Sequence, residues 1–209
     1  MAPLPRSLFW SRTDVPGSDH VLLDEHRGLT ARGVAQAVEP IGWTCRYDLV
    51  TDDGWAASRL EVAVEGAGWS RSVRLERTGT RWRVGTAESG DLDAALAAAG
   101  RPGADLPGLD EPHRLEGVRD VDLGGSPLFN TLPIRRLGLL REAPGTSHRV
   151  DVAWVLLPSL LVVPVEQVYT VLGAGSVRFA GDGFSADLAV DSSGYVLHYP
   201  GLARRSDAG

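Results

Sequence analysis

A chain of 209 residues can bury a sizeable core, as one domain or two small ones, and its 43% hydrophobic and 23% charged residues are ordinary globular values. A formal net charge of −6 argues against a nucleic-acid partner, which wants a basic face. The single cysteine, Cys45, excludes an intramolecular disulfide; beside Trp43 and Tyr47 it reads as a buried structural thiol.

The opening MAPLPRSLFWSR has no basic stretch followed by a long apolar run, so no secretory signal is read there and a soluble, cytoplasmic protein is expected. All 21 cations are arginine, at exposed-looking positions as much as elsewhere, which points to a GC-rich coding sequence rather than to a function. Strands are predicted near Ser7–Ser11, Asp19–Glu25 and Leu29–Val38, then at Trp43–Thr51, Ala57–Glu65, Trp69–Arg77 and Arg81–Val84. Apolar and polar residues alternate in the last three (Leu60, Val62, Val64 against Glu61 and Glu65), and Gly-rich turns separate them. A period of two with such punctuation is an antiparallel meander with one wet face. Ser89–Ala99 reads as a helix, with acidic residues in its first turn, Gly100 past its end and an apolar side at Leu92 and Leu96. Arg101–His113 is a Pro/Gly loop.

A second meander is predicted from Val118–Leu123, Ile134–Arg141, Arg149–Leu157, Val162–Leu172, Ser176–Ala180, Phe184–Val190 and Gly194–Tyr199. The run Val150–Leu172 is broken by Pro158, Pro164, Glu166 and Gln167 and is not a membrane span. The tripeptide GAG recurs at 66–68 and 173–175, a hint of internal duplication with chance recurrence of a favourable turn as the alternative. The expected fold is mainly β, a long antiparallel meander curled into a half-open barrel or strongly curved sheet, with one or two short helices and no firm domain boundary.

The polar candidates cluster in GVRDVDLGGSPLFNTLPIRRL, Gly117–Leu137. Asp120 and Asp122 share a strand face; they suit acid–base work on a sugar, a hard cation, or an ion pair with Arg135 or Arg136. Ion pairing is the reading preferred. Asn130, among Phe129, Leu132 and Pro133, either meets a ligand hydroxyl or holds a turn. Arg135 and Arg136, read as strand neighbours, point to opposite faces, so one at most enters a cavity, where it would read a phosphate, sulfate or carboxylate. Gln167 and Tyr169 share a face and either pack the core or line a mixed cavity; Tyr195 and Tyr199 invite the same two readings. No GxSxG, P-loop, GxGxxG after a strand or HExxH is present, and the five histidines lack zinc spacing. No catalytic residue, metal ligand or cofactor is therefore assigned.

DVDLGGSPLFNTLPIRRL resembles the signature of the bacterial putative glycolipid-binding family, formerly a family of unknown function. The resemblance extends to YDLVTDDGWAASRLEV (Tyr47–Val62), VDVAWVLLPSL, VEQVYTVL and FSADLAVDSSGYVLHYPGLARR, and so runs along nearly the whole chain in order. It implies a curved sheet or open barrel shaped like bacterial lipid carriers, and lipid or glycolipid binding without a catalytic residue. The matching polar positions are Trp55, Arg59, Asp120, Asp122, Asn130, Arg135, Arg136, Gln167, Tyr169 and Tyr199. Leu128 and Phe129 place bulk where the family pattern tends to be small, and residues 88–113 look longer than its usual connection.

The expectation is a non-catalytic binder of a small amphiphilic ligand, a glycolipid or lipid. Trp154, Leu156 and Val168 would line an apolar trough, and Arg135 or Arg136 would hold the head group with Asn130 and Tyr169. Two alternatives stand beside it. One is a hydrolase acting on a sugar or phospho-ester through Asp120 and Asp122. The other is a structural or partner-binding domain with no cavity.

Overall fold

The structure, a computed structural model, describes residues 6–206; the first residues of the opening stretch lie outside them. The first half forms β1 (Arg6–Arg12), β2 (Gly17–Asp24), β3 (Thr30–Ala37), β4 (Trp43–Thr51), β5 (Ala57–Gly66), β6 (Trp69–Thr78) and β7 (Arg81–Gly90). Helix α1 (Leu92–Ala98) follows, then β8 (Asp120–Leu123) and helix α2 (Thr131–Arg136). The chain closes with β9 (Ser147–Val155), β10 (Val162–Gly173), β11 (Ser176–Gly181), β12 (Phe184–Val190), β13 (Val196–Tyr199) and β14 (Ala203–Ser206).

All 14 strands form one curved, unclosed sheet, in the order β7-β6-β5-β4-β3-β2-β1-β14-β13-β12-β11-β10-β9-β8. Two runs of sequential strands therefore meet where β1 pairs with β14, through Phe9↔Ser206 to Arg12↔Ala203. The GAG turns lie between β5 and β6 and between β10 and β11, unequal places in the two runs, so the repeated tripeptide reflects turn chemistry.

Alternation puts one face of each strand inside. On β3 the buried set is Ala31, Gly33, Ala35 and Ala37, opposite the bulkier Leu49, Tyr47, Cys45 and Trp43 of β4. Small residues on one strand make room for large ones on the next, the interlocking that close packing requires. Cys45 is buried as expected, and burial pushes its thiol up, away from the reactive range. Leu92 and Leu96 are the buried side of α1, and Asp91 caps it by accepting from Ala94 N at 2.8 Å.

In the first half β7 runs on to Gly90, so the helix predicted from Ser89 begins only at Leu92; three further features differ from the sequence expectation in the second half. The predicted strand Ile134–Arg141 is instead α2 followed by a 3-10 turn at Leu139–Arg141. Pro133 sits in the first turn of that helix, where its missing N–H costs nothing, and Gly138 ends it at φ +69°. The period-two reading failed because Thr131, Leu132, Pro133 and Ile134 are all buried, a contiguous run that neither period describes. Secondly, β8 runs parallel to β9, since the chain crosses the inner face through α2 before returning. Thirdly, β14 had not been anticipated: ARRS carries one apolar residue, and pairing with β1 rather than patterning makes it a strand.

The segment between β8 and β9 fills the sheet's interior. Leu128, Phe129 and Leu132 join a core built mainly on β1–β7, while Ile134 and Leu139 join that of β9–β13. The bulky pair Leu128 and Phe129 is fully enclosed, with the Phe129 ring 5.5 Å from that of Tyr47. The segment leading into β8 is tied to β5–β7: Ala57 N–H donates to Arg119 O and Gly117 N–H to Thr80 O, both at 2.8 Å, and Trp82 Nε1 donates to Val118 O at 2.9 Å.

Candidate functional site: a cleft over a buried amide–phenol relay

β8 places Asp120 and Asp122 two residues apart, and their environments diverge. Asp120 is 1% exposed and receives the Arg136 guanidinium, whose Nε lies 3.1 and 3.0 Å from its two oxygens. Burial raises this carboxyl and the guanidinium opposes it. The pair is bidentate, so Asp120 is closed off from any ligand.

Asp122 has no such partner. Its Oδ2 accepts from Gln167 Nε2 at 2.8 Å; Gln167 Oε1 accepts from the Tyr169 hydroxyl at 3.0 Å; that hydroxyl accepts from Asn130 Nδ2 at 3.0 Å. Every donor in this relay points towards Asp122, so the bonds polarise one another in one direction. Burial nevertheless pushes the Asp122 carboxyl up to about 6, against the Gln167 bond.

Above this relay opens a cleft of about 190 Å³. Its polar floor holds Asp122, Ser126, Asn130 and Gln167. Its walls carry Trp154, Phe179 and Tyr199, with Val165 and Leu202 between. Phe184, half exposed, stacks on Tyr199 at 6.3 Å and also meets Phe179, extending the aromatic surface outwards.

Behind Ser126 lies a second buried carboxylate. Asp19 is 0% exposed and accepts from the Tyr47 hydroxyl at 2.9 Å and from Ser126 Oγ. Burial pushes it up to about 6. Both Asp19 and Asp122 therefore hold protons in the folded chain that an unfolded chain, titrating near 3.9, would release. Between about pH 4 and pH 6 the native state binds more protons, so this contribution to stability is present at low pH and is lost as pH rises through 6. Two pKa units correspond to about 3 kcal/mol for the fully enclosed Asp19, and to less for Asp122 at the cleft floor. Asp19→Asn is expected to raise Tm at neutral pH and to flatten the wild-type-minus-variant difference only above pH 6. Thermal melts across that range check it, and a variant parallel to the wild type from pH 4 to pH 7 would contradict it.

The family described as "Putative glycolipid-binding" matches residues 7–205. The chain belongs to this family. It is also similar to the crystal structure of a DUF1089-family protein from Pseudomonas aeruginosa, with 25% identity, a TM-score of 0.67, and coverage of 90% of this chain and 92% of that one. No curated protein matches it.

The residues that carry the glycolipid-binding family's pattern separate into four places. Asp122, Asn130, Gln167 and Tyr199 line the cleft, with Tyr169 directly beneath. Asp120 and Arg136 pair with each other. Trp55 and Arg135 meet elsewhere: the Arg135 guanidinium lies 4.2 Å from the Trp55 ring centroid, Nη1 donates to Ser193 O at 2.7 Å, and Nη2 is 3.5 Å from Glu25. Arg59 lies among the outward residues of β5, its Nε 3.6 Å from Glu61.

Neither arginine of NTLPIRR thus lines the cleft, against the expectation that one would hold a head group. Arg136 is held by Asp120 and Arg135 by Trp55, Ser193 and Glu25, and on a helix the two diverge by about 100° rather than pointing to opposite faces of a sheet. Of the expected trough residues, Trp154 lines the cleft, whereas Leu156 and Val168 do not. Ser126, Phe179 and Leu202 were missed. The Gly124-Gly125 break was the available signal for Ser126, and the alternation Val177, Phe179 that for the wall. Among the described residues no group of His, Cys, Asp and Glu could hold a metal ion, and no helix is long and apolar enough to cross a membrane.

Proposed function

We propose that the cleft binds the polar head of a glycolipid or lipid while the acyl chain lies along the aromatic and aliphatic surface at its mouth. The observation that carries this reading is the juxtaposition of a hydrogen-bonding floor (Asp122, Asn130, Gln167) with walls of Trp154, Phe179 and Tyr199. A volume of about 190 Å³ is small beside the ~300–1,000 Å³ of pockets for whole drug-sized ligands, which fits a head group rather than a tail. Apolar burial would supply most of the energy and the floor the orientation. In this reading the protein works as a single cytoplasmic domain that binds rather than catalyses. A hydrolase using Asp120 and Asp122 together would need both carboxylates free, and Arg136 occupies one.

Mass spectrometry of the purified protein, native and after organic extraction, tests the reading. A stoichiometric co-purified lipid or glycolipid is expected, and Trp154→Ala is expected to reduce its retention about ten-fold or more, the scale of losing one buried aromatic contact. A clean apo mass together with no uptake of added glycolipid would count against it.

A further inference from the structure

We infer that the cleft selects an ammonium-bearing head group, such as that of an amino-sugar lipid, seated between the Asp122 carboxylate and the side chains of Tyr199 and Trp154. This rests on the binding role proposed above and names the chemistry that role would serve.

Charge balance comes first. Asp120 has Arg136, and Asp191 has Arg205 at 2.7 Å, but Asp122 faces a cleft whose lining includes no cation. A half-buried carboxylate without a counter-ion is poorly solvated, and a bound ammonium supplies the missing charge. Hydrogen-bond polarity comes second. The relay from Asn130 through Tyr169 and Gln167 delivers donors to Asp122, so a group approaching that carboxylate from the cleft must donate, and an ammonium is donors only. The third argument is a wall whose hydroxyl opens to the cleft. Tyr199 is 7% exposed and lines the cleft, yet its hydroxyl has no hydrogen-bond partner among the described residues. Together with Trp154 and Phe179 it offers the aromatic surroundings in which cations are favoured. Asp182, exposed at the mouth, adds negative charge and disfavours phosphate, sulfate or carboxylate heads.

The groups facing Asp122 are few. The Tyr169 and Tyr199 phenols are both held up by burial and by its charge, and so stay protonated. Asp120, two residues back on β8, is closed off by Arg136, and the Glu166 carboxylate is paired with Arg149. Asp182 is the remaining carboxylate of the lining. Ionisation of Asp122 should therefore govern the pH dependence of ammonium binding.

The probes are octyl glucoside, octyl glucosaminide and octyl phosphate, which share one tail and differ in head charge, titrated by calorimetry into the full chain at about pH 7 and about pH 5. At the higher pH the glucosaminide is expected to bind about ten-fold tighter than the glucoside, with the phosphate weakest. That preference should shrink several-fold at the lower pH, and in Asp122→Asn at the higher. Equal binding of glucoside and glucosaminide, or tightest binding of the phosphate, overturns the ammonium preference while the lipid-binding role stands. Binding of none of the three removes both. A preference that persists in a folded Asp122→Asn protein also overturns the inference, and the wild-type pH series decides should that variant fail to fold.

Discussion

Arg136→Ala is expected to destabilise the protein by about 3–5 kcal/mol, because it strands the Asp120 carboxylate, 1% exposed, without a partner. For a chain of this size that is a fall in Tm of roughly 10 °C. Arg135→Ala, next along the helix, should cost much less. Its side chain is 30% exposed, its Glu25 contact at 3.5 Å is loose, and its main losses are one bond to Ser193 O and the Trp55 stacking, about 1–2 kcal/mol together. Paired thermal melts check the contrast. Equal, small effects would mean that Asp120 finds water or another cation when Arg136 is removed. The larger effect belongs to Arg136 because its pair with Asp120 is a contact within the fold.

Gly33→Ala is expected to have an effect of similar size by a different route. A Cβ at Gly33 would lie 1.9 Å from Tyr47 Cζ and 2.3 Å from its hydroxyl oxygen, so the ring must leave its place against β3. Overpacking of this kind costs about 1–3 kcal/mol. Moving the ring also removes the 2.9 Å bond to Asp19, a charge-assisted bond worth about 1.5–3 kcal/mol. The total, about 3–5 kcal/mol, should appear as a lower urea midpoint. Near-UV circular dichroism should report the displaced tyrosine. A variant with wild-type midpoint and spectrum would show that the ring and strand can part without cost. Gly68 is a useful contrast in space, since a Cβ there meets nothing within 4 Å, although its φ of +81° still penalises a side chain.

The meander was legible in the sequence because most strands satisfy their patterns locally: Leu60, Val62 and Val64 alternate, and each Gly-rich turn joins strands that pair with each other. Legibility stopped where long-range packing decides the local conformation. Residues 131–134 are all buried because α2 is enclosed by the sheet, and no periodicity in TLPIRR announces that. The family motif brings together residues in two structural settings. Asp122, Asn130 and Gln167 reach the cleft, whereas Asp120 and Arg136 hold the segment that presents them. Sequence spacing could place the two aspartates on one strand face, but it could not show that a guanidinium arriving from 16 residues away would neutralise only the first. Asp19 was invisible as anything but a strand residue, because its partners Tyr47 and Ser126 are 28 and 107 residues distant.

The meeting of β1 with β14 also bears on the order in which the molecule can assemble. Strands within β1–β7 and within β9–β14 pair with sequence neighbours, so each run can grow by successive hairpins, with little chain entropy spent per step. The β1–β14 ladder is different: it joins the two ends of the chain through the four residue pairs from Phe9↔Ser206 to Arg12↔Ala203, and its loop closure is the longest in the fold. That short ladder, with the enclosed α2 segment, commits the two runs to one sheet. The rate at which the native state appears should therefore be governed by an encounter between distant strands, even though nearly every other pairing in the sheet is local.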